Sequence, residues 1–106
     1  MKRYRVRYLP EAKAALREAF VYIAEDDGSG RAGTWLKKMY EGIDALQTAP
    51  RSTRSEGTFD GWEFRSKLVI THRVFFTIDD AVETVYVIDV VHTARQTKLD
   101  EYEGKA

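Results

Sequence analysis

The chain contains no cysteine, which excludes a disulfide framework, a thiolate nucleophile and the cysteine-rich zinc sites. A cysteine-free protein suits a reducing compartment, so a cytoplasmic location is the expectation. Proline occurs only twice, and with 43% apolar and 12% aromatic residues the composition reads as globular rather than disordered. No apolar run approaches the ~20 residues a membrane span requires. The opening MKRYRVRYL lacks the apolar core of a signal peptide, so no membrane association is expected. There is no glycine-rich phosphate loop and no nucleophile elbow. His72 and His92 are the only histidines and are not closely spaced, so neither a metal site nor any other cofactor is expected. Net charge is absent too: 17 basic residues balance 17 acidic ones. A protein that grips phosphate backbone over a large area is usually basic, so any nucleic-acid contact here must use a local patch.

The length of 106 residues suits one domain spanning residues 1–106. Charge is unevenly spread: Lys2, Arg3, Arg5 and Arg7 open the chain without an acidic residue, whereas the last stretch is acidic. RYRVRYL alternates strictly, with Tyr4, Val6 and Tyr8 on one side and Arg3, Arg5 and Arg7 on the other, the period of a half-buried strand. Pro10 suits the first turn of a helix, where its missing N–H costs nothing. Ala12, Leu16, Ala19, Phe20, Ile23 and Ala24 continue at helical spacing until EDDGSG turns the chain. Ala32, Trp35, Leu36, Met39, Ile43 and Leu46 mark a second helix that ends before Pro50.

RSTRSEGTFDG has no apolar period and is expected to be an exposed loop. WEFRSK, LVITHRVFFTI and residues 84–91 follow as strands, with DDA as a tight turn. The expected order is β-α-α-β-β-β: an α+β fold with an antiparallel sheet and an N-terminal helix hairpin packed on one face. The other face is left open, and by parity Arg65, Lys67 and Arg73 are expected on it.

Tyr22-Ile23-Ala24, Leu46 with Ala49-Pro50, Glu63-Phe64-Arg65, Arg73-Val74-Phe75-Phe76 and the run from Val87 to Arg95 together resemble the RelE/ParE superfamily, toxins of type II toxin–antitoxin systems. The resemblance covers roughly residues 4–97. It implies a growth-inhibiting toxin, with roles such as plasmid stabilisation, that is neutralised by a cognate antitoxin in a hetero-oligomer. RelE-like members cut messenger RNA on the ribosome without metal, using basic side chains of the open face. ParE-like members share the fold, and many poison DNA gyrase.

Metal-free RNA cleavage needs a base for the 2′-hydroxyl, an acid for the leaving oxygen and cations for the phosphoryl charge. Arg65 and Arg73 are candidates for charge stabilisation, because guanidinium forks onto two phosphate oxygens. Lys67 is a candidate nucleic-acid contact, His92 a candidate acid or base, and Arg95 could join them. Structural readings stand beside each. Arg65 and Arg73 could pair with Glu63 or Asp89, and Lys67 could be a solvated charge. His72 shares parity with Ile70, Val74 and Phe76 and reads as structural. His92 shares parity with Tyr86, Ile88 and Val90 and could cap its strand by bonding a neighbouring carbonyl. The arginines of the first strand either protect a sheet edge or meet an acidic partner. Tyr102 could stack on a base, but LDEYEGK around it is acidic. The neutral charge departs from the basic surface that docking into ribosomal RNA demands. It sets gyrase inhibition ahead of RNA cleavage.

Overall fold

The computed structural model describes residues 2–94. Strand β1 (Arg5–Tyr8) leads into helix α1 (Pro10–Asp27) and helix α2 (Ser29–Asp44). Strands β2 (Arg54–Phe59), β3 (Trp62–Val69), β4 (His72–Asp79) and β5 (Thr84–His92) complete a five-stranded sheet of order β1-β5-β4-β3-β2. This is the expected α+β arrangement with one strand more.

Pro10 occupies the first turn of α1, where it sacrifices no hydrogen bond. Gly28 alone separates the helices, at φ 94°, a conformation a side chain would strain. So sharp a reversal lays α1 and α2 side by side. Their inner residues Ala12, Leu16, Trp35, Met39 and Ile43 meet Val69, Val74, Phe76, Val85, Val87 and Val90 of the sheet to form the core. Tyr4 and Leu46 close it, and Val6 and Tyr8 pack against it. Phe76 is fully buried, and burial of such a side chain contributes about 1.5–3 kcal/mol.

Four features differ from the sequence-based expectation. Residues 54–59 are not a loop: they form β2, antiparallel to β3, because Asp60 and Gly61 adopt positive φ (51° and 80°) and make a tight two-residue hairpin. The β3–β4 boundary falls at Ile70–Thr71, two residues later than the expected break, so Leu68 and Val69 belong to β3. The sheet is antiparallel except for β1, which pairs parallel to β5. Finally, β5 carries a bulge. Phe75 opposes Asp89 while Phe76 opposes Val87, so Ile88 is the extra residue. The bulge lets Val85, Val87 and Val90 all reach the core, and it puts His92 on the opposite face from Tyr86. The continuous face expected for Tyr86, Ile88, Val90 and His92 therefore does not form.

Candidate functional site

Residues opposite one another in neighbouring strands point to the same side of a sheet. Arg65 opposes Phe76 and Lys67 opposes Val74, so both point toward the helices. Arg73 opposes Leu68 and Val91, on the uncovered side. The shared open face expected for Arg65, Lys67 and Arg73 is thus corrected. The turn at Ile70–Thr71 sets odd-numbered residues of β3 beside even-numbered residues of β4, which parity within one strand does not reveal.

Each side chain on the helix side is engaged. Arg65 clamps the connection from α2 to β2: its guanidinium donates to the Arg51 carbonyl (3.2 Å), the Thr53 carbonyl and the Thr53 hydroxyl (3.2 Å). It also donates to Glu63 Oε1 at 2.7 Å, and this bond holds the Glu63 carboxyl below the usual range. Lys67 is not a solvated charge, because its Nζ donates to the Gly42 carbonyl of α2 at 2.7 Å. His72 is buried, with Nδ1 2.8 Å from the Thr71 hydroxyl and its ring edge-on to Trp35. His92 lies opposite His72 with ring centroids 4.9 Å apart, and its Nδ1 accepts the Ala94 N–H at 3.0 Å. It does cap the end of its strand, through an amide rather than a carbonyl. Arg95 and Tyr102 lie outside the described residues.

The open face has a different chemistry. Arg73 Nη1 donates to the Ser66 hydroxyl at 2.9 Å, and that hydroxyl donates to Glu56 Oε1 at 2.6 Å. Arg54 closes on the same carboxylate at 2.6 Å. Burial works to raise the Glu56 pKa, but the hydrogen bonds from Ser66 and Arg54 and the charges of Arg54 and Arg73 outweigh it and hold the carboxyl low. Arg73 therefore reaches Glu56 through the Ser66 hydroxyl, and the Asp89 carboxylate accepts the Val90 N–H instead. Beside this network run Phe59, Trp62, Phe64, Phe75 and Tyr86, brought onto one face by the strand register. Arg7 lies beside Tyr86 on the β1 edge, with Arg5 two residues before it. Phe59 and Trp62, opposite each other at the hairpin tip, are 73% and 51% exposed.

An aromatic band rimmed by arginines, over a face that no described element covers, is the composition of a protein-binding surface. It went unread in the sequence because half of it belongs to β2 and its hairpin. The signal was present in Phe59-Asp60-Gly61-Trp62, an Asp-Gly turn between two aromatics. Among the described residues no three His, Asp or Glu side chains gather closely enough to hold a metal ion, and no helix is long and apolar enough to cross a membrane.

Similar folds occur among solved structures. A chromosomal ParDE toxin–antitoxin system from P. aeruginosa matches with TM-score 0.70 at 12% identity, covering 84% of this chain and 95% of that one. The RelBE2 toxin–antitoxin complex from Mycobacterium tuberculosis matches with TM-score 0.61 at 22% identity, covering 85% and 98%. The archaeal RelE–RelB complex from Pyrococcus horikoshii OT3 matches with TM-score 0.59 at 13% identity, covering 87% and 97%. At these identities the likeness is one of fold. No curated protein matches the sequence significantly. The family profile described as the ParE toxin of the type II toxin–antitoxin system parDE matches residues 6–97. With nearly the whole sequence accounted for, this chain belongs to the ParE toxin family of type II toxin–antitoxin systems.

Proposed function

We propose that this toxin acts in the cytoplasm by binding DNA gyrase, and that a cognate antitoxin neutralises it by covering the open sheet face. The observation that carries the reading is the division of the basic residues. Cleavage of RNA needs cations, an acid and a base converging on one phosphate. Arg65, Lys67 and His92 point to the helix side, and Arg65 and Lys67 are committed to internal bonds there. Arg73 is the described member of the candidate set that points to the open face, beside an acidic partner. An aromatic surface with Arg5, Arg7 and Arg73 around it suits a folded or helical protein segment carrying acidic residues. The three solved neighbours are toxin–antitoxin complexes, which supports a hetero-oligomer here.

The test runs two reactions side by side: DNA supercoiling by purified gyrase, and translation of a defined messenger RNA followed by primer extension. Inhibited supercoiling with intact RNA is the expected result. Active gyrase together with new 5′ ends that need ribosomes would overturn the proposal in favour of RelE-like cleavage. Antitoxin affinity is measured separately, where Trp62→Ala should weaken binding at least about tenfold, as loss of an exposed aromatic anchor does.

A further inference from the structure

The helix hairpin carries two stripes of opposite charge, both away from the open face. On α1, Glu18, Val21, Tyr22 and Glu25 recur at i, i+3, i+4 and i+7, so they share one side of the helix, and all four are exposed. Val21 and Tyr22 are apolar side chains left 45% and 71% exposed. On α2, Arg31, Thr34, Trp35 and Lys38 follow the same spacing. With Gly30 and Ile70 they line a groove of about 360 Å³ between α2 and the β3–β4 turn. Trp35 forms its floor, 8% exposed, and Ile70 its wall, 48% exposed. Among the described residues, none of Glu18, Glu25, Arg31 and Lys38 has an ion-pair partner.

The charges stand at the wrong helix ends for stability. Glu25 lies in the last turn of α1, which holds no basic residue, and Arg31 in the first turn of α2, which holds no acidic one. The helix dipole favours the reverse, so a partner of opposite sign would relieve both. Each stripe is such a partner for the other. Seven residues of helix span about 10.5 Å, so Glu18 and Glu25 are as far apart along α1 as Arg31 and Lys38 are along α2. Within one chain the stripes stay apart, since Val21 and Tyr22 remain exposed. We propose that the groove receives α1 of a second copy of this chain, laid antiparallel to α2. Glu25 and Glu18 of one copy then meet Arg31 and Lys38 of the other, and Val21 and Tyr22 enter over Trp35 and against Ile70. This is helix-in-groove recognition, with two apolar anchors between charged ends. The contact is head-to-tail, because ridge and groove are different surfaces of the chain. The inference does not depend on the target of the toxin, because both stripes lie outside the open face.

Sedimentation velocity of the full chain tests it. The weight-average mass should rise about twofold or more over a ~100-fold increase in concentration. Salt at ~1 M, where the screening length is ~3 Å, should reverse most of that rise without any substitution. The groove variant Arg31→Glu, Lys38→Glu and the ridge variant Val21→Asp, Tyr22→Asp should each stay monomeric, since each has lost one half of the contact. Mixed together, they should form a dimer of one groove variant with one ridge variant and nothing larger, because each supplies the half the other lacks. That dimer also shows both variants to be folded. A mass of one chain at every concentration of the unmodified protein overturns the proposal. So does self-association that survives in either variant, and so does a mixture of the two that stays monomeric.

Discussion

Tyr8 carries a side-chain hydroxyl that is shut off from water and has no hydrogen-bond partner among the described residues. Its ring lies edge-on to Tyr40, and burial, the Asp44 carboxylate and Tyr40 together push its pKa well above the ordinary tyrosine range. An unsatisfied buried hydroxyl costs about 1–3 kcal/mol, so Tyr8→Phe should stabilise the fold, by about 1 kcal/mol in urea unfolding at pH 7. The raised pKa adds a sign. The neutral phenol is favoured in the folded state, so stability is full below the unfolded value near ~10 and falls as pH rises past it. Tyr8→Phe should flatten that alkaline decline, and an unchanged decline would assign it to another group. Strict alternation in the sequence does turn Tyr8 inward, but its orphaned oxygen depends on which α2 residues lie over it. Ile70 presents the reverse case. Its φ of 53° suits glycine, and a β-branched residue there costs on the order of 1–3 kcal/mol. Ile70→Gly should raise stability by about 1 kcal/mol in urea unfolding. A loss of stability would mean that the exposed isoleucine packs more than it strains.

Among the elements, α2 lies close against β3 at Gly42. A Cβ on Gly42 would stand 2.5 Å from Val69 Cγ1, and Lys67 reaches the Gly42 carbonyl from the same strand. Gly42→Ala would gain up to about 1 kcal/mol in helix propensity but force α2 off the sheet, an overpacking cost of about 1–3 kcal/mol. The clash wins because Val69 is itself buried and has nowhere to go. A net loss of about 1 kcal/mol is expected by thermal or urea unfolding, with recovery in the Gly42→Ala, Val69→Ala pair relative to Val69→Ala alone. Additive losses would show that the two positions do not couple. Both helices and the inner strands were legible from apolar spacing because each buries one face. Strand β2 buries almost nothing, so it has no alternation to read and only its Asp-Gly turn announces it. The bulge at Ile88 is silent for another reason: one extra residue in a mostly apolar stretch, broken only by Asp89, leaves no clear change of period while it swaps the faces.

For the molecule as a whole, a net charge of zero conceals a set of paired carboxylates. Asp80 accepts from both guanidinium nitrogens of Arg51 (2.6 and 3.1 Å) and from the Tyr4 hydroxyl (2.8 Å), tying β1 and the turn before β5 to the segment after α2. Glu63 is held by Arg65, and Glu56 by Ser66 and Arg54. The family likeness was readable because it rests on the order of elements, and Arg65–Glu63 because the two lie two residues apart on one strand, whereas the Asp80 and Glu56 pairings depend on register and were not. Asp80, Glu63 and Glu56 all titrate below their ordinary values. A carboxyl whose folded pKa is depressed contributes stability above the unfolded pKa, near ~4, and that contribution is lost as pH falls through the lower folded value. Stability should therefore be flat from pH 7 to about 5 and decline steeply below about 4.5. Glu56 is the partner to test, since its side chain is only 18% exposed and solvent screens it least of the three. Glu56→Gln should cost about 1 kcal/mol at pH 7 through weaker bonds from Ser66 and Arg54, yet converge on the unmodified chain near pH 3. Urea unfolding at pH 7, 5, 4 and 3 reads both effects. Two curves that stay parallel down to pH 3 would mean that the Glu56 charge contributes nothing, and that the Arg73–Ser66–Glu56–Arg54 network on the open face holds position by packing alone.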